Sequence, residues 1–140
     1  MRVIVLVKAT EDSEASALPA PELIEAMGKY NEELINAGIM VGGDGLKASR
    51  FGKRIAFDGA SRTVIDGPFA ETRELVAGFW IWEVKDMDEA LAWAKRCPNP
   101  MPGPSDLELR PVITMEDFAE VMTEEGAAIH ARNEQALSGS

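Results

Sequence analysis

Histidine and cysteine each occur once, as His130 and Cys97. A single cysteine excludes an internal disulfide and a cysteine-rich zinc site. A single histidine leaves little for a histidine-based metal site or a catalytic triad, so neither metal nor cofactor is expected. Cations are scarce: 14 Lys and Arg face 24 Asp and Glu, for a net charge of −10. Nucleic acid, which needs a basic face, is therefore not an expected partner. No apolar run approaches the roughly 18 residues of a membrane span, so no membrane association is expected. The apolar start, Val3-Ile4-Val5-Leu6-Val7, has only Arg2 before it and charge soon after. That is not a signal peptide, and a cytoplasmic protein is expected. What is present is ordinary: 140 residues, 46% hydrophobic and 27% charged. This suits one domain of usual size with its own core.

The opening apolar run is aliphatic on both sides and predicts a strand in the middle of a sheet. Residues 8–20, with Glu11, Asp12, Ser13, Glu14 and Ser16, read as an exposed loop of above-average length. Pro21 suits the first turn of a helix. Leu23, Met27, Tyr30 and Leu34 then recur on one helical face, widened by Ile24 and Ile35. Gly38 ends that helix, expected over residues 21–37. Ile39-Met40-Val41 starts a second strand, which Gly42-Gly43-Asp44-Gly45 interrupts with a bulge or a close backbone approach. Residues 53–57 and 62–65 flank Asp58-Gly59, the signal of a two-residue hairpin turn. Residues 78–84 (GFWIWEV) form a third clear strand, with Phe79 and Ile81 on one face and Trp80, Trp82 and Val84 on the other. Asp86 and Glu89 make a capping-box pattern for a helix over residues 87–97, stopped by Pro98. Residues 99–104 form a rigid proline-rich loop. Leu107-Glu108-Leu109-Arg110 alternates as a strand with one wet face, closed by Pro111.

The resulting order is β-α-β, hairpin, β-α-β, without a linker and without repeats. It predicts one α+β domain over residues 1–113, a ferredoxin-like split β-α-β fold with an inserted hairpin. Helices should cover one face of an antiparallel sheet and leave the other bare. If Trp80 and Trp82 lie on the bare face, two copies should pair sheet to sheet as a homodimer. Residues 114–140 form an acidic extension. Glu116, Asp117, Glu120, Glu124, Glu125 and Glu134 face Arg132 alone, half of the net negative charge. Met115, Phe118, Met122 and Ile129 make a helical stripe in it, and residues 133–140 should fray.

Asp66-Gly67-Pro68-Phe69-Ala70-Glu71-Thr72-Arg73-Glu74 resembles the signature of the DGPF-domain proteins within the YCII-related family. Asn36-Ala37-Gly38, Val41-Gly42-Gly43-Asp44-Gly45-Leu46, Gly78-Phe79-Trp80, Asp88-Glu89-Ala90, Arg96-Cys97-Pro98 and Glu108-Leu109-Arg110-Pro111 add to the likeness, which spans about residues 2–118. The resemblance implies a dimeric α+β barrel, two ferredoxin-like subunits back to back. Some relatives accompany or are fused to extracytoplasmic-function sigma factors, which implies a sigma-factor link by family analogy only. A few are proposed lyases or dehydrochlorinases using a His–Asp pair. This chain has no histidine between Pro21 and Ala37 and carries no sigma-factor domain.

Several residues carry two readings. Asp66 is either a turn carboxylate shaped by Gly67-Pro68 or a general base whose pKa is raised by Phe69 and nearby tryptophans. Asp44 is either a turn carboxylate or a hydrogen-bond acceptor beside a ligand resting on the bare backbone of Gly42 and Gly43. Lys47, Arg50, Lys53, Arg54 and Arg62, against Asp58, either protect a hairpin from aggregation or receive an anionic ligand or an acidic segment. Arg110 either pairs with a neighbouring carboxylate or clamps a carboxylate ligand. Trp80, Trp82, Phe79 and Tyr30 are core or dimer contacts, or a ligand cage. His130 reads as a surface residue and Cys97 as a small buried hydrophobe. The glycine cluster lacks the Lys-Ser/Thr of a phosphate loop.

Two functions follow. The first is an accessory or regulatory binding module. Its cleft, lined by Gly42, Gly43, Pro68, Phe69 and Arg110, takes a small anionic or aromatic molecule. The second is a cofactor-free lyase or isomerase with Asp66 or Asp44 as acid or base and Arg110 steadying negative charge.

Overall fold

A computed structural model describes residues 1–139, so Ser140 of the expected extension lies outside the described residues. Strand β1 (Arg2–Lys8) does run through the middle of a sheet, antiparallel to β5 (Val76–Glu83) on one side and β6 (Leu107–Pro111) on the other. Strand β2 (Met40–Gly45) pairs with the outer side of β5, giving the order β2-β5-β1-β6. All these pairings are antiparallel, and the sheet stays open rather than closing into a barrel within the chain.

The residue loop 8–20 contains one short helix, α1 (Glu11–Glu14), started by a reciprocal Thr10–Ser13 capping box. Helix α2 (Pro21–Asn36) begins at its proline and ends as the glycine predicted. Gly38 takes φ +74, its N–H bonds to Ile35 O, and the Ile39 N–H bonds back to Leu34 O. Ile39 and Leu34, the two side chains this end motif brings together, are both buried. Helix α3 (Met87–Lys95) stops two residues short of the expected 97, with Arg96 as its cap. At its start the Asp86 carboxylate accepts the Glu89 N–H, and the Glu89 carboxylate accepts the Lys85 N–H.

The core lies between α2, α3 and one sheet face. Val3, Val5, Val7, Trp80, Trp82 and Val84 meet Tyr30, Leu34 and Ala90 there. The tryptophans thus sit beneath the chain's own helices, and the uncovered face belongs to Ile4, Leu6, Phe79 and Ile81 instead. The period-2 reading separated the two faces correctly; only the helices decide which one is covered. Ile24 and Ile35 do not widen the buried stripe of α2 but remain exposed.

Gly42-Gly43-Asp44-Gly45 carries β2 on, and the expected bulge falls at its start, as a register shift between Met40 and Gly42. The hairpin forms from β3 (Lys53–Asp58) and β4 (Ser61–Asp66), a separate two-stranded sheet. Its turn is one residue later than expected. Asp58 pairs with Ser61, so Gly59 and Ala60 are the central residues, and Gly59 supplies the positive φ of +57. After β6 come a 3-10 turn over Met115–Val121 and helix α4 (Glu124–Ser138). This helix runs through most of the stretch expected to fray, yet neither element has a buried residue. Among the described residues no helix is long and apolar enough to cross a membrane.

Candidate functional site

A cavity of about 960 Å³ opens at one end of the helix-covered face. Its walls come from three loops and one helix face. Loop residues 12–20 form one side, and residues 43–51 form the next. Residues 99–102 form the third, and Leu23, Met27 and Asn31 of α2 line the fourth. Trp80 and Met40 reach it from the sheet. Asn99 shapes the proline-rich loop by accepting the Met101 N–H (3.0 Å) and the Ser105 hydroxyl (2.6 Å) while donating to Gly103 O (2.9 Å). The Thr10 hydroxyl reaches Met101 Sδ at 3.4 Å and so ties this loop to the start of α1.

The lining is largely apolar, with Leu18, Leu23, Leu46, Phe51 and three methionines, Met27, Met40 and Met101. Methionine adapts to irregular guests, and its sulfur contacts aromatic rings favourably. The Trp80 indole N–H donates to Asn31 Oδ1 at 2.9 Å, which locks the ring. Charge enters from both signs. Asp12 and Asp44 supply carboxylates. Lys47 and Arg50 supply cations, stacked on the Phe51 ring at 5.3 and 4.5 Å.

Of the residues singled out from the sequence, Gly43, Asp44, Lys47, Arg50, Phe79 and Trp80 line this cavity. The glycine at 43 serves the sheet: a Cβ there would stand 2.6 Å from the Phe79 carbonyl oxygen and 3.1 Å from Trp80 Cδ1. The close approach is that of β5. Gly42, Pro68 and Phe69 are not among the lining residues. Neither is Asp66, whose largely exposed carboxylate pairs with Lys53 at 2.6 Å. Arg110 stands at the sheet's far edge on β6, opposite Ile4 and 3.8 Å from the Glu108 carboxylate. Asp66, Asp44 and Arg110 therefore do not converge.

The turn at 66–69 has a structural task. The Gly67–Pro68 peptide is cis. Gly67 N–H donates to Gly52 O at 3.0 Å, and a Cβ on Gly67 would fall 1.8 Å from Ser49 O. The Phe69 N–H donates to Ser49 Oγ at 3.0 Å, while Arg54 covers the Phe69 ring at 3.8 Å. Ser49 in turn donates its hydroxyl and its N–H to the two oxygens of the Glu14 carboxylate. A chain Glu14–Ser49–Phe69 thus ties the base of the hairpin to the loop that walls the cavity. Spacing gave no hint of it, since Glu14 and Ser49 lie 35 residues apart.

Two titratable groups of the core are pushed upward. Burial, followed by the neighbouring Cys97, raises the Tyr30 phenol, whose hydroxyl donates to Trp93 O at 2.7 Å. Burial pushes the Cys97 thiol up to about 11. Neither is ionised near neutrality, so neither acts as a base or nucleophile there. Among the described residues no group of three His, Cys, Asp or Glu side chains could hold a metal.

The YCII-related domain family matches residues 1–116. This chain belongs to the YCII-related family. It is also similar to an uncharacterised protein of Rhizobium meliloti (strain 1021), 43% identical over 49 residues. That stretch covers 35% of this chain and 40% of the relative, so the similarity spans less than half of either. The YCII-related match takes in the sheet, α2, α3, the hairpin and the cavity loops. It ends within the 3-10 turn after β6, before the exposed helix α4 begins.

Proposed function

We propose that this YCII-related protein is a small-molecule-binding module. Its cavity takes an aromatic or otherwise flat apolar molecule bearing an anionic group. The observation that carries the reading is the combination at one opening: an apolar bed of Trp80 and the three methionines, and the cations Lys47 and Arg50 at Phe51. Ligand sites are commonly of this volume and of this make-up, mostly apolar with a few placed polar groups. The cofactor-free lyase or isomerase reading is less well supported, because Asp66 and Arg110 stand apart from Asp44.

The strand order β2-β5-β1-β6 with two β-α-β units supports a ferredoxin-like reading of the fold. The turn at 66–69 fits the DGPF branch of the family. Residues 1–113 act as the binding domain, and residues from 114 onward as an acidic extension. Two copies pair through the uncovered sheet face, where Ile4, Leu6, Phe79 and Ile81 form an apolar centre and Arg2, Glu83, Glu108 and Arg110 a charged rim. The setting is the cytoplasm, and the role is accessory or regulatory.

Titration with 8-anilinonaphthalene-1-sulfonate, an anionic aromatic probe, tests the cavity. Saturable quenching of tryptophan emission is expected, lost largely in Trp80→Phe and weakened roughly tenfold in Lys47→Ala/Arg50→Ala, the scale of one charge-assisted contact. Non-saturable binding, or binding indifferent to both variants, would overturn the reading.

A further inference from the structure

The hairpin and the segment after β6 share a defect: every strand residue of the first is exposed, and the second has no buried residue. A lone two-stranded ribbon is marginal in water and needs something to pack against. One face of this ribbon aligns Ile55 with Val64, and Phe57, 72% exposed, with Arg62. Arg62 lies on Phe57 on this same face and meets no carboxylate among the described residues.

The C-terminal segment is the complement. Glu116, Glu120, Glu124, Glu125 and Glu134 form no ion pair among the described residues. Phe118 and Val121 are exposed beside them. Topology separates the two within one chain. The hairpin follows β2, at one edge of the sheet, and the segment follows β6, at the other edge. A second copy can present its segment where the chain's own begins on the wrong side.

We infer that the acidic C-terminal segment of one copy lies along the hairpin of a second copy, and reciprocally. The glutamates meet Arg62, which shares the apolar face, and Phe118 and Val121 cover Ile55, Phe57 and Val64. This goes beyond the cavity reading and rests only on the presence of a second copy. It explains why two opposite charges and two apolar surfaces stay exposed in a single chain.

Charge exchange between two full-length variants tests it. One variant carries Arg62→Glu. The other carries Glu120→Lys and Glu134→Lys, chosen away from the first turn of α4. Circular dichroism checks that both stay folded. Alone, each sets like charge against like and shifts toward single chains. Mixed, the reversed hairpin of one meets the reversed segment of the other, and the second contact keeps the native signs. Native mass spectrometry should then show a mixed dimer in roughly tenfold excess over either self-pair, the scale of like-charge penalties at such contacts. Restoration only when all three substitutions share one chain would mean contact within the chain and overturns the inference. So would unshifted, fully dimeric single variants, which leave the sheet pairing standing. A native protein that is monomeric throughout overturns both.

Discussion

Ser49 is a half-buried hydroxyl that donates to Glu14 and accepts from the Phe69 N–H. Ser49→Ala removes both hydroxyl bonds and leaves the half-buried Glu14 carboxylate with the residue-49 N–H alone, at a cost of about 2 kcal/mol, read by urea unfolding. Gly67 faces a harder limit, because a Cβ there collides with the Ser49 carbonyl. Gly67→Ala should cost roughly 3 kcal/mol, the upper range for overpacking, and should loosen the cavity loop as well. Cys97 gives a pH test. Its thiol, pushed up to about 11 by burial, stays protonated in the fold at pH values where an unfolded thiol ionises. Folding therefore gains from the neutral thiol below the ordinary thiol pKa and loses that gain as pH rises through about 11. Alkylation of native protein should be slow at pH 8 and accelerate only toward that value, while urea-unfolded protein reacts as an ordinary thiol. Ordinary reactivity of the native thiol at pH 8 would contradict its burial.

Among the elements, helices α2 and α3 are joined by the Tyr30 hydroxyl on the Trp93 carbonyl. Tyr30→Phe keeps the ring, and its edge-on contact with Trp80 at 6.0 Å, but gives up that bond. A loss of about 1 kcal/mol is expected by thermal or urea unfolding, with the cavity unchanged. Strand β5 and helix α2 were legible because each carries a period that burial enforces: alternation in β5, the stripe from Leu23 to Leu34 in α2. The glycine-rich stretch signalled either a bulge or a close backbone approach, and the structure has both: a register shift between Met40 and Gly42, and Phe79 O set so close to Gly43 that no Cβ fits, while the strand runs on. The hairpin turn shifted by one residue because two neighbouring pairs, Asp58-Gly59 and Gly59-Ala60, both fit a two-residue loop, and register chose between them.

At the scale of the molecule, the proposed pairing of two copies rests on the uncovered sheet face. Ile4, Leu6, Phe79 and Ile81 have the helices on their far side, and no element of the sheet's own layer covers them. Ile81→Glu should leave circular dichroism unchanged and convert a pair to single chains in sedimentation velocity, because a carboxylate at the centre of an apolar contact has no partner. An Ile81→Glu protein of unchanged mass would move the interface elsewhere.

Period, turn chemistry and the proline and glycine punctuation are local, and so the order of strands and helices and the two faces of β5 were already present in the amino acids alone. So was the kinship with the YCII-related family over residues 1–116, a matter of sequence and not of shape. Which face of β5 the helices would cover, where Asp66 and Arg110 would end up, and which loops would enclose a cavity depend on contacts between residues far apart in the chain. Ser49 reaching Glu14 across 35 positions, and the sheet order that sends Arg110 to the edge opposite Asp44, arise only when the whole chain closes on itself.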